Sequence, residues 1–198
     1  MPANNNNTAN VTAGKPKIGG AIFRAPIGTA LPGNATADLS SAFVCLGYVS
    51  EDGLTNDNSP ESESIKAWGG DTVLNVQTSK DDTFGFTLIE ALNVNVLKTI
   101  YGEGNVSGTL DTGITVQVNA EDLDEYVWAI DMVMRNGVLK RIVIPDGKVS
   151  AVGTITYADG DAVGYETTLQ TAPDSSGNTH YEYIIKSSGG GSGSGSGS

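Results

Sequence analysis

Apolar residues recur at every second position along much of this chain. In TFGFTLI, Phe84, Phe86 and Leu88 share one side, and Thr83, Gly85 and Thr87 share the other. In GITVQVNA, Ile114, Val116 and Val118 alternate with Thr115 and Gln117. A period of two puts successive side chains on opposite faces of an extended strand. VWAIDMVM goes further. Trp128, Ile130, Met132 and Met134 form one face, while Val127, Ala129, Asp131 and Val133 form a second that is apolar enough to be covered too. RNGVLKRIVIP follows, with Asn136-Gly137 set between two apolar runs. That pair is a strong hairpin signal, because a tight primed turn needs positive φ at its centre. Antiparallel strands are predicted over 127–135 and 138–144.

Further strands are predicted near 148–157 and 163–171, joined by a turn at Asp159-Gly160-Asp161, and at about 180–186. Earlier ones fall near 21–27, 43–49, 64–68 and 72–78, in runs rich in Thr, Val and Ile. One segment breaks the pattern. In LIEALNVNVLKTIYG, Leu92, Val96 and Ile100 recur at four-residue spacing, Leu97 and Tyr101 widen the face, and Gly102 suits a C-terminal cap. Asn93 or Asn95 can cap its start, and Lys98 lies near the negative end of the helix dipole. About ten strands beside one helix predict a mainly β fold. The expected form is two packed antiparallel sheets, a sandwich or partial barrel, with one short flanking α-helix.

The 198 residues divide by composition. Residues 1–20 open on the low-complexity run MPANNNNTAN and read as an arm that is flexible unless assembled. Residues 21–186 read as one β domain with a real core. Residues 187–198 are a Gly/Ser tether, read as an engineered linker or the junction to an absent module. No signal peptide or membrane span is expected, because no apolar stretch is long enough. The formal net charge is −12. An acidic domain lacks the clustered Lys and Arg that hold nucleic acid by counterion release. Acidity favours solubility, and an acidic wall is also what lets a polyanion pass without sticking.

Residues with chemistry are few. The one cysteine, Cys45, sits in the apolar run AFVCLGYV and excludes an intrachain disulfide; a buried, inert thiol is expected. His180 is the one histidine, and with no recognisable nucleophile setting in the sequence it reads as a surface or edge-strand residue. One His and one Cys are too few for a zinc site without carboxylates. The acidic pairs Glu61/Glu63, Asp81/Asp82 and Asp159/Asp161, and the cluster in AEDLDEY, could in principle cleave glycosides or bind calcium, yet none has the spacing of a calcium-binding loop. EDGLTNDNSPESES, residues 51–64, reads as a long solvated loop. GEGNVSG follows a helix instead of opening one and lacks the Lys-Ser/Thr of a phosphate-binding loop, so it reads as a turn. The N-x-S/T triplets at Asn6, Asn10, Asn34 and Asn105 carry little meaning without a secretory route. Trp128 reads as core. Trp68, before Gly69-Gly70, reads as a turn anchor or an interface residue, and the two tryptophans together could also form a sugar platform.

An ordered series of phrases resembles the major tail (tail tube) proteins of long-tailed bacteriophages. SPESESIKAWGGDTV leads to TSKDDTFGFTLIEALNVNVLKTIYG, in which a strand rich in Thr and Phe runs into a short helix ending in V-L-K-x-x-Y-G. RIVIP, GYETT and P-D-x-x-G follow in order, and PKIGGAIFRAPIGTALP resembles the family's opening. The series spans most of residues 15–185. The resemblance implies two packed sheets with a flanking helix. It also implies hexameric rings stacked into a tube whose inner wall is a continuous β-barrel. The role implied is structural, a conduit for DNA into the host, without an active site, cofactor, metal or membrane. Implied partners are further copies of the chain, tape-measure and tail-terminator or tip proteins, and DNA passing without specific binding. The implied place is the virion, after synthesis in the bacterial cytoplasm. Some members continue into an immunoglobulin-like surface domain. Candidate contacts between subunits are Pro16, Ile18, Phe23, Glu51, Asp57, Glu61, Glu63 and Trp68. A monomeric β-sandwich that binds carbohydrate or a cell surface is the alternative, and an acidic-pair hydrolase a more distant one.

Overall fold

The computed structural model describes residues 6–186. The Gly/Ser tether expected at 187–198 lies outside the described residues. Thirteen strands and one α-helix follow in order. They are β1 (Lys15–Pro16), β2 (Ile22–Pro26), β3 (Val44–Cys45), β4 (Val49–Asp57), β5 (Pro60–Lys66), β6 (Thr72–Lys80) and β7 (Thr83–Leu88). After α1 (Val94–Tyr101) come β8 (Val106–Thr109), β9 (Gly113–Val116), β10 (Glu125–Val133), β11 (Val138–Val152), β12 (Tyr165–Thr171) and β13 (Tyr181–Lys186). The expectation of a mainly β, sandwich-like fold with one helix holds.

One antiparallel sheet of nine strands supplies the body, in the order β3-β2-β10-β11-β12-β7-β4, with β1 on β10 and β13 on β11. Two small sheets, β5-β6 and β8-β9, complete the set, and no barrel closes. The large sheet curls. Three strand spacings separate β10 from β7, about 14 Å in a flat sheet. Yet Phe86 of β7 and Trp128 of β10 lie 6.1 Å apart, centroid to centroid. The concave face holds the core: Phe84, Phe86 and Leu88 meet Trp128, Ile130, Ile144 and Leu169. Helix α1 closes this face with Val96, Leu97 and Ile100. Asn93 caps it, its side chain accepting from Asn95 N at 3.0 Å, and Gly102 ends it at φ 98°.

The β10–β11 hairpin turns where the sequence places it. Asn136 and Gly137 both have positive φ, 60° and 72°. Beyond the turn, β11 differs from the reading. The strands expected at 138–144 and 148–157 are a single strand of 15 residues. Pro145 is tolerated because the register with β10 shifts there, pairing Trp128 with Ile144 but Tyr126 with Gly147. Trp128 Nε1 donates to Gly147 O at 2.9 Å across this irregularity. The strand ends at Val152, so Asp159-Gly160-Asp161 lies within a longer link to β12. The segment FVCLGYV forms only the two residues of β3 before β4 begins at Val49.

The largest correction concerns residues 51–64. They form most of β4 and the first part of β5 instead of a solvated loop. The ladder runs from Val49↔Leu88 to Asp57↔Thr83 between β4 and β7, then resumes as Pro60↔Lys80 to Lys66↔Thr72 between β5 and β6. The outer half is a two-stranded ribbon with solvent on both faces. Such a strand satisfies its backbone in the ladder without showing apolar alternation, so polarity hid it.

Candidate assembly surfaces

Two internal networks fix the surfaces that face outward. Asp131 and Arg141 stand opposite each other in the β10–β11 register, and both are buried. Arg141 Nε and Nη2 donate to Asp131 Oδ1 and Oδ2 at 2.5 and 2.7 Å, a bidentate pair. Arg141 Nη1 also donates to Asn34 O at 3.1 Å and Ala37 O at 2.6 Å. Lys17 reaches Asp131 from the N-terminal segment at 3.4 Å. One ion pair thus pins the link after β2 and the segment after β1 over the second face of β10. That is why Val127 and Ala129 are buried as well as Trp128 and Ile130. On the concave side, Arg24 of β2 donates to Thr99 Oγ1 at 2.7 Å and Glu103 Oε2 at 2.9 Å, with its guanidinium 4.0 Å from the Tyr126 ring centroid. It ties α1 to the sheet. Burial raises the Glu103 pKa, but hydrogen bonds from Lys98 and Arg24 outweigh it and leave the carboxyl below its usual value.

A third cluster sits at the elbow where the ribbon leaves the body. Asp82, buried between β6 and β7, accepts from Thr179 Oγ1 at 2.6 Å and Asn56 Nδ2 at 2.7 Å, and lies 2.5 Å from His180 Nδ1. His180 is therefore no plain surface residue; its ring also stands edge-on to Phe84. Burial alone would raise the Asp82 pKa, but these hydrogen bonds and the imidazole hold it below the ordinary carboxylate value. An Asp–His pair is two of the three members of a catalytic triad, yet the nearby hydroxyl of Thr179 donates to Asp82 itself, so the arrangement braces the elbow. Among the described residues, no three His, Cys, Asp or Glu side chains are placed to hold a metal ion. None of their helices is long and apolar enough to cross a membrane.

Beyond the elbow, β5 and β6 pair only with each other. Ile65 and Leu74 are cross-strand partners, and Val76 lies on the same face opposite Glu63. All three are exposed, at 50%, 53% and 41%. The turn at the far end is closed by Ala67 N to Asp71 O at 2.8 Å and Gly70 N to Ala67 O at 3.0 Å, and it presents Trp68 fully to solvent. Trp128 is sealed in the core, so the two tryptophans form no sugar platform.

The second surface lies on the body. An open groove of about 490 Å³ runs between the segment after β1 and the start of β4, lined by Pro16, Ile18, Cys45, Tyr48 and Glu90 among others. Ile18 and Tyr48 are exposed. Cys45 is half-buried instead of sealed, because it faces this groove; its Sγ accepts from Gly47 N at 3.3 Å. Gly20 keeps the floor open, since a Cβ there would lie 2.6 Å from Cys45 Sγ and 2.9 Å from the Phe23 ring. Glu90 is held at the rim, accepting from Tyr48 N and Asn93 Nδ2.

The eight candidate contact residues thus fall into two groups. Pro16 and Ile18 line this groove, and Phe23 lines a smaller one beside it with Ile18. Glu51 and Asp57 lie exposed on β4, and Glu61, Glu63 and Trp68 on the projecting ribbon. Sequence reading missed the Asp131–Arg141 pair. Its signal was present: opposite charges each five positions from Asn136, each inside an apolar run.

A family model described as phage tail tube protein matches residues 2–190. Comparison with curated proteins gave no match.

Proposed function

The chain belongs to the phage tail tube protein family and is a structural component of a virion, and from that premise we propose that its copies close into rings of six, stacked into a tube that conducts DNA into the host. The observation that carries this reading is the projecting ribbon β5-β6, whose exposed apolar face has no partner among the described residues. An isolated two-stranded hairpin is marginal in water, so a ribbon of this length is suited to contact with another copy. Open edges support the same reading. Among the described residues, the outer edges of β3 and β4 end the large sheet without a neighbour. Pairing across subunits satisfies such edges, and a closed ring removes them.

In this reading Pro16, Ile18, Phe23, Glu51, Asp57, Glu61, Glu63 and Trp68 lie at contacts between subunits or rings. Residues 1–20 act as an arm anchored to the body through β1 and Lys17, the rest of which takes its final form on assembly, and residues 21–186 are the wall unit. Acidic side chains line the bore, so DNA slides through without specific binding; the net charge of −12 motivates this. Tape-measure and tail-terminator or tip proteins set the length and the ends, and synthesis takes place in the host cytoplasm. Negative-stain electron microscopy of the purified chain, with light scattering on a sizing column, tests the proposal. Rings or tubes with a central hole are expected. Monodisperse monomers at every concentration tried would contradict it.

A further inference from the structure

The ribbon and the strands it springs from are two parts of one long hairpin. The register is the same on either side of the elbow: Asp57 faces Thr83, and Pro60 faces Lys80. Between those pairs, residues 58–59 and 81–82 carry no ladder. Pro60 has no N–H, so the ladder resumes without a donor at its first residue. Equal gaps on both strands leave the register intact, and a few such residues at the ends of elements can absorb a change of direction.

Asp82 holds this gap. Its carboxylate accepts from Asn56 of β4 and from Thr179, and it meets His180 Nδ1; Thr179 and His180 lead into β13. Its backbone oxygen accepts from Thr171 N at 3.1 Å and Thr171 Oγ1 at 2.8 Å, at the end of β12. All of these partners belong to the body. Asp82 is 2% exposed, so water competes little for them. On the facing strand, Asn58 Oδ1 is buried with no hydrogen-bond partner among the described residues, so the tie is one-sided.

We propose that Asp82 is the latch of a hinge at residues 58–59 and 81–82, closed by Thr179 and His180, so that seating of β13 fixes the direction of the ribbon. With the latch closed, Asp82 is fixed and the ribbon points one way. With it open, water replaces the three side-chain partners of the carboxylate, and the ribbon turns as a unit while the body stays folded. β13 pairs with Val138–Val143 of β11, so lifting it from that strand withdraws Thr179 and His180 from Asp82. The latch works within one copy, whether or not copies form a tube.

Double electron–electron resonance reads the ribbon's direction. Nitroxides are placed at Val73→Cys on β6 and Ser150→Cys on β11, both exposed positions, in a Cys45→Ala background. Samples are kept below the concentration at which copies associate, so the distance lies within one chain. A single narrow distance peak is expected. Asp82→Asn, and separately Thr179→Val/His180→Phe, are expected to replace it with a broad distribution. Hydrogen exchange of β10 and β11 amides is expected to stay slow in both, which separates a released ribbon from an unfolded body. A narrow peak that survives either substitution overturns the latch. So does a broad distribution in the parent, or broadening that in both variants comes only with loss of β10 and β11 protection.

Discussion

At the residue scale, the molecule depends on a few charged side chains in places where apolar ones would be expected. Asp131 and Arg141 interrupt two apolar runs, and the fold uses them to hold the segments before β2 and after it against β10. Removing one partner leaves the other buried with its charge poorly compensated. Arg141→Ala is expected to cost about 3–5 kcal/mol, measured by urea denaturation, whereas Asp131→Leu/Arg141→Met is expected to recover much of that loss. Asp82 gives a pH dependence with a definite sign. Its folded pKa lies below the ordinary value, so its contribution to stability is present at neutral pH and is lost as pH falls through the folded value. Glu103 acts in the same direction. The midpoint of thermal unfolding is therefore expected to drop steeply below about pH 4. Asp82→Asn is expected to lower the midpoint at pH 7 and flatten that acid slope.

At the element scale, legibility followed burial. Strands with one covered face, such as β7 and β12, showed the alternation that a pleated, half-buried ladder requires. The helix showed its stripe and both caps. The β10–β11 turn was plain because Asn136 and Gly137 must take positive φ. In the ribbon, β6 was legible at 72–78, but the start of β5 was not, for the opposite reason: with both faces solvated, Glu61, Ser62, Glu63 and Ser64 obey no pattern. The elbow was illegible because Asp82 and His180 are 98 positions apart and meet only once β13 pairs with β11. The tip, by contrast, was half visible, since a tryptophan before Gly69-Gly70 has no core to enter. Burying one such side chain removes about 200 Å² from water, worth about 5 kcal/mol before ordering costs. The ribbon's independence has a direct test. Replacing residues 60–80 with a short turn is expected to leave the body folded, with an unchanged near-ultraviolet spectrum apart from the loss of Trp68, and to abolish assembly. Hydrogen exchange on the intact chain should show fast β5 and β6 amides before assembly and protected ones after it, with β10 and β11 slow throughout.

At the scale of the whole molecule, the chain reads as a part instead of a finished machine. Its titratable clusters are braces: one holds β10 and its coverings, one holds α1 to β2, and one holds the elbow. What remains for solvent is an acidic surface, unpaired sheet edges, an apolar groove and a ribbon ending in an indole. Repetition of the chain gives each of these a use, and a tube wall is the repetition that its family membership favours. The decisive measurement is a cryo-electron microscopy reconstruction of the assembled chain. Sixfold rings around a continuous bore lined by carboxylates are expected, with each ribbon reaching a neighbouring copy. A filament without a bore, or a bore lined by lysine and arginine, would contradict it.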